Sequence, residues 1–294
     1  MVTPGSRPFV SAAEAKQAGA AVRETFPRSA LGTYHHSDRD ATALIEAQNT
    51  GRIPELVPLR MKRMRADPLS FFRGSAALMA SDLGREPSSG IEVISCGDAH
   101  VGNFGFFLSP VSAPVFDLND FDESWIAPWE WDVKRLVTSA IIGARQAGFP
   151  ESTARDAGFE AAAVYRVALA EAMDLGVVDR YYGRVDTDAV PGGMGAEGQR
   201  ILEKTIRQAH RRAASHSITK QTTVGPDGLR HFVDNPPEIS HDDAGDSLVV
   251  KLITEYRKTV GPEVAVLLDQ FELNDTARRV RASGASGCAA TWRC

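Results

Sequence analysis

The chain has 294 residues, 43% of them hydrophobic, which is enough to bury a sizeable core in one large or two small domains. A formal net charge of -5 argues against a general binder of nucleic acid or of a membrane surface. No apolar run reaches the length of a membrane-crossing helix, and three cysteines (Cys96, Cys288 and Cys294) are too few for a disulfide framework, so a reducing cytoplasm is the expected location.

Residues 1–37 read as a polar lead-in with one short helix, Ala12 to Thr25, and a second helix is expected over Ala41 to Gln48. A basic cluster follows: Arg60, Lys62, Arg63 and Arg65, expected as a solvated helical face with ordinary salt bridges, with contact to phosphate or an acidic substrate as the rival. Asp67 and Pro68 form a cap and first turn, opening one helix with Leu69, Phe72, Ala76, Met79 and Leu83 on one side, ending near Gly84. Three short apolar runs, Ile91 to Ser95, Phe104 to Leu108 and Ala113 to Phe116, have the length and flanking turns of strands. A strong amphipathic helix is expected from Asp132, with Val133, Leu136, Val137, Ala140, Ile141 and Ala144 on one face. Further helices are expected over Ser152 to Asp174, Gln199 to Ala214 and Ser247 to Lys258, with a glycine-rich loop from Gly192 to Gly198. Gly192 and Gly193 have no strand and Lys-Ser/Thr context, so they are not read as a phosphate loop. The sum is an α+β chain, mostly helical, with a small sheet in its first half.

The densest polar motifs lie at the strand ends. CGDAHVGNFG spans Cys96 to Gly105, and DLNDFDES spans Asp117 to Ser124 after a second strand. Turns of this kind hold polar groups where a ligand can reach them. Phosphoryl transfer needs a carboxylate near the attacking hydroxyl and hard oxygen ligands for magnesium on the nucleotide phosphates. Asp98, Asn103 and Asp120 have the order and spacing for a base and two metal ligands. The alternative reading of Asp98, His100 and Asn103 is a turn stabilised by local hydrogen bonds. His100 is also read as orienting the loop through backbone contacts. Cys96 with His100 lacks a second Cys/His pair and is not read as a zinc site; Cys96 is expected as a small buried residue. Trp125, Trp129 and Trp131 are expected as packing beside the site, with an aromatic wall for a base or substrate as the rival. Arg73, one turn from aromatic residues, is read as a group that pairs with a site carboxylate or a nucleotide phosphate.

The segment GDAHVGN resembles the catalytic loop of the aminoglycoside phosphotransferase and choline kinase families, which belong to the protein-kinase-like superfamily. The resemblance implies a kinase-like fold, mainly its helical catalytic lobe. It also implies that Asp98 is the catalytic base and that Asn103 and Asp120 bind magnesium. Asp132 would then be the buried carboxylate that ties down the loop. Asp117 and Asp122 compete with Asp120 for the metal role because three acids fall in one short stretch. Three longer phrases, RMKRMRADPLSFFRGSAALMASDL, CGDAHVGNFG and FDLNDFDESWIAPWEWDVKRL, resemble the bacterial family named domain of unknown function 2252. That resemblance covers nearly all of residues 38–279, which are expected to form the catalytic region. Members of that family are expected to continue into a glycine-rich stretch and a strand with Lys-Glu. Residues 280–294, of different texture, are therefore set apart as an aberrant tail. A truncated chain without a phosphate cradle is expected to bind ATP weakly or not at all.

The function so expected is ATP- and magnesium-dependent transfer of a phosphoryl group to a hydroxyl of a small molecule or a protein. Its rivals are a carboxylate-rich metal-dependent hydrolase built on Asp98, His100, Asp117, Asp120 and Asp122, and a non-catalytic binding module or gene fragment. Neither a nucleic acid nor a membrane is expected as a partner.

Overall fold

The computed structural model describes residues 10–109, 113–183, 185–186, 196–211, 221–236, 239–241, 243–280 and 286–293. In chain order the helices are α1 (Ala12–Thr25), α2 (Ala41–Thr50), α3 (Val57–Met64), α4 (Pro68–Arg73) and α5 (Ala76–Leu83). Four strands follow: β1 (Glu92–Ser95), β2 (Phe104–Leu108), β3 (Pro114–Leu118) and β4 (Trp125–Pro128). Then come α6 (Glu130–Gln146), α7 (Glu151–Asp174), α8 (Val177–Tyr181), β5 (Val185–Asp186) and α9 (Ala196–Arg211). The last part holds β6 (Thr222–Val224), β7 (Arg230–Phe232), β8 (Ile239–Ser240), α10 (Asp243–Thr259), α11 (Pro262–Leu268), β9 (Glu272–Val280) and β10 (Ser286–Arg293). The fold is mixed α+β, with helices predominating and small antiparallel sheets. Among the described residues no helix is long and apolar enough to cross a membrane.

The chain divides into two compact units. The first comprises Met1–Ile45, Asp67–Phe104 and Leu118–Arg180. In it, β1 pairs antiparallel with β4, Glu92 opposite Pro128 and Ser95 opposite Trp125. This two-stranded ribbon delivers the loop that begins at Cys96 and leads directly into α6. Helices α6 and α7 form a hairpin whose close approach depends on small residues. Ala154 is fully buried, and a β-carbon on Gly158 would stand 2.7 Å from Ile141. The apolar face expected for the helix after Asp132 is thus the face that meets α7.

One expected helix is in fact two. The run opened by Asp67, whose carboxylate accepts from the Ser70 amide at 2.7 Å, stops at Gly74 and restarts at Ala76. Gly74 and Ser75 leave helical geometry, and the Ser75 amide and hydroxyl both turn back to the Phe72 carbonyl at 3.1 Å. Apolar spacing alone does not register such a break, because α4 and α5 both keep their apolar sides inward.

The second unit comprises Glu46–Ala66, Gly105–Asp117 and Tyr181–Cys294. Its sheets run in the orders β2-β3-β5 and β10-β9-β8, and β6 pairs with β7 as a separate hairpin. Phe232 on β7, Ile239 on β8 and Ala277 on β9 form a buried apolar cluster. The basic run over Arg60 to Arg65 lies on and just after α3, but it is not uniformly solvated. Arg60 is buried and donates to Asn49 Oδ1 at 2.9 Å, while Lys62 and Arg65 are exposed. The segment set apart for its texture contributes β10, paired along β9 with a shift in register between Thr291 and Trp292. Of the expected glycine-rich loop, Gly192 to Gly195 lie outside the described residues and Ala196 to Gly198 already belong to α9.

Candidate active site

The loop after β1 is held from below by α6. Asp132, in the first turn of α6, accepts the Cys96 amide at 2.7 Å on one carboxylate oxygen and the Gly97 amide at 3.0 Å on the other. Gly97 has φ +81, and a β-carbon there would overlap the Glu123 carbonyl, so only glycine lets the loop pass. One helical turn further, Arg135 is 2% exposed and its Nε donates to Asp98. Its Nη2 donates to the Phe72 carbonyl at 2.7 Å, and its guanidinium carbon lies 4.2 Å from the Phe72 ring centroid. The same carbonyl accepts the Ser75 amide and hydroxyl at the break between α4 and α5. Another turn on, the fully buried Ser139 hydroxyl accepts the Val101 amide at 2.9 Å.

The loop also closes on itself. The Asn103 carboxamide nitrogen donates to the Asp98 carbonyl at 2.7 Å, the His100 amide donates to the same carbonyl at 2.8 Å, and the Asn103 amide donates to the His100 carbonyl at 2.9 Å. The acidic segment is pinned to the loop on both sides of Asp120. The Asn119 amide donates to the Asn103 carbonyl at 2.8 Å, and the Cys96 thiol points to the Asp120 carbonyl at 3.3 Å. Asp120 Oδ1 accepts the Asp122 amide at 3.3 Å, and the Asp122 side chain is exposed.

These placements set the charges of the site. Burial raises Asp98 above the ordinary carboxylate range, Arg135 and Arg73 oppose the rise, and the Asp120 charge adds to it. Burial also pushes His100 down to about 4, helped by the charges of Arg73 and Arg135, so it is neutral at pH 7. His100 Nε2 lies 3.6 Å from Asp98 Oδ2, and the buried Nδ1 has no hydrogen-bond partner among the described residues. The Cys96 thiol is raised by burial and by the surrounding carboxylates, which fits a small buried residue rather than a nucleophile.

Asp98, His100, Asn103, Arg73 and Asp120 therefore share one neighbourhood, with Asp122 beside it. Arg73 ends α4, is exposed, and acts on both Asp98 and His100. Asp117 lies on β3 in the other unit and is exposed. The tryptophans separate: Trp129 stacks on Tyr165 at 5.9 Å, Trp131 packs against Gly84, and Trp125 is 79% exposed. Among the described residues no group of three His, Cys, Asp or Glu side chains is spaced to hold a metal ion by itself.

The profile of a family described as "Uncharacterized protein conserved in bacteria (DUF2252)" matches residues 52–292. The chain belongs to this family. Neither the curated proteins nor the solved structures contain a match to the chain. For this DUF2252 chain, reasoning from sequence missed Arg135 and Ser139. Their signal was present: Asp132, Arg135 and Ser139 recur at helical spacing along the side of α6 turned toward the loop.

Proposed function

We propose that this DUF2252 chain carries the catalytic loop of an ATP- and magnesium-dependent phosphotransferase acting on a hydroxyl of a small molecule or a protein. The observation that carries the reading is the double fastening of the loop. Asp132 holds its entry through the Cys96 and Gly97 amides, and Asn103 closes its exit on the Asp98 carbonyl. Phosphoryl transfer asks the protein mainly for position and charge, and a loop fastened in this way supplies position.

In this reading Asp98 receives the proton of the attacking hydroxyl. Arg135 fixes one face of its carboxylate, and desolvation makes it a stronger base than a solvated aspartate. Neutral His100 packs against Asp98 and limits its rotation. Asn103 gives its carboxamide nitrogen to the loop, which leaves its oxygen as a donor to a cation. With Asp120 and Asp122 it would supply oxygen ligands of the kind magnesium takes when nucleotide phosphates complete its shell. Magnesium, when bound, would neutralise phosphate charge and orient the transferred group. Arg73 adds a positive charge beside Asp98 and His100.

The test is magnesium-dependent consumption of ATP by the full chain against a panel of hydroxyl acceptors, at ATP concentrations high enough to offset the weak binding expected without a phosphate cradle, with Asp98→Asn and Asp120→Asn in parallel. Loss of the general base should lower turnover by roughly 100-fold or more. Equal turnover in Asp98→Asn, or metal-dependent hydrolysis of esters without any use of ATP, would overturn the reading.

A further inference from the structure

The second unit holds a row of five titratable side chains that the candidate active site does not use. His231 closes β7's side of the β6–β7 hairpin, with Nε2 2.9 Å from Asp227 Oδ2 in the turn and Nδ1 3.8 Å from Asp275 Oδ2 on β9. His241, just after β8, has Nδ1 2.9 Å from Asp234 Oδ1 and Nε2 3.3 Å from the same Asp275 oxygen. The order is Asp227, His231, Asp275, His241, Asp234, with charge types alternating along it. Asp275 is the central member, mostly buried, and its Oδ2 also accepts the Phe232 amide at 2.7 Å.

The chemistry of imidazole decides what this row requires. A neutral ring has one N–H and one lone pair, whereas an imidazolium has two N–H groups. In His241 both ring nitrogens lie within hydrogen-bond distance of a carboxylate, at 2.9 and 3.3 Å. A neutral ring there would turn a lone pair toward an anion, and only the doubly protonated form donates to both sides. Deprotonating His241 would remove the donor to one of Asp234 and Asp275 and set a lone pair against that carboxylate. The neighbouring cations on these strands are Arg230, which donates to Thr222 at 3.2 Å, and Arg278 and Arg279, at the β8–β9 pairing.

We infer that this row is a proton-operated clasp that fastens the β6–β7 hairpin and the β8 segment to β9. It joins the same three strands whose residues Phe232, Ile239 and Ala277 make the buried cluster of this unit, so the clasp and the small core stand or open together. Burial works against the charged form of His241, but its hydrogen bonds to Asp234 and Asp275 outweigh this and raise its pKa. A raised folded-state pKa gives stability that is complete below the unfolded value and is lost as pH rises through the folded value. The β8 segment, and the Asp275 oxygen that also accepts the Phe232 amide, are thus held in mildly acidic to neutral solution and loosen on the alkaline side.

Amide hydrogen exchange on the full chain tests this, with protection at Phe232 followed from about pH 6 to about pH 9 and corrected for intrinsic exchange. A several-fold loss of Phe232 protection across that range is expected, with a much flatter profile in His241→Gln. Protection that does not change with pH, or that falls equally in His241→Gln, would overturn the clasp. Should that variant fail to fold, the imidazole Cε1–H resonances of the wild-type chain decide instead. His241 must titrate above the usual histidine value, and a midpoint at or below that value refutes the inference.

Discussion

Asp132→Ala tests the fastening of the loop most directly. The substitution removes the acceptor of two backbone N–H groups, those of Cys96 and Gly97, while leaving α6 with a residue of high helix propensity. Cys96 is buried, and among the described residues the Gly97 amide's other acceptor is the Ser95 hydroxyl at 3.0 Å. Leaving one buried donor unsatisfied costs about 1–3 kcal/mol, and bonds to a charged acceptor lie in the upper half of that span. Two such amides, one partly rescued by Ser95, place the loss at roughly 3–4 kcal/mol. Asp132→Asn keeps one acceptor oxygen and turns an NH2 toward the other amide, so it should lose about 2 kcal/mol. Urea denaturation followed through the tryptophans near the site measures the total. Because the chain has two units, amide exchange at Cys96 and Gly97 should be read alongside it, and both amides should lose protection before the α6–α7 hairpin does. A shift below about 0.5 kcal/mol in Asp132→Ala, with both amides still protected, would refute the argument that this carboxylate holds the loop.

Gly97→Ala should be at least as damaging, by roughly 3 kcal/mol or more, since it meets both a positive φ and the Glu123 carbonyl; soluble expression and thermal unfolding are the readouts. Arg135→Met leaves the Asp98 carboxylate buried without its partner and should destabilise by about 3–5 kcal/mol at neutral pH. That deficit should shrink as pH falls, because protonated Asp98 no longer needs a cation; parallel denaturations at neutral and acid pH compare the two. His100, lowered to about 4, binds its proton more readily unfolded than folded, so stability should fall as pH drops from about 6.5 toward 4, by roughly 3 kcal/mol in total. In His100→Phe that part of the acid sensitivity should vanish, and an unchanged pH profile would show that another group is responsible.

How much of the site could be read from residues alone follows from the range of the forces involved. The order Asp98, Asn103, Asp120, Asp132 lies within one stretch of chain, and strand, turn and helix signals there are local. The loop, the acidic segment and the helix beneath them were therefore all legible before any coordinates. So were the cap at Asp67, the apolar face of α6 and the length of α7, each set by neighbours within a few residues. The family phrases were legible for the same reason: they are contiguous.

The tertiary structure alone decided the partners. Arg135 is turned to Asp98 and to the Phe72 carbonyl, and neither residue is near it in sequence. Arg60 is buried because α2 brings Asn49 to it; its own basic neighbours suggest the opposite. The alternating row of His231 and His241 around Asp275 is assembled from strands whose pairing no local pattern specifies. Spacing along a chain reports what one helix or strand presents. Burial of charge is settled by the group that arrives from elsewhere, because a desolvated ion persists only where a partner compensates it.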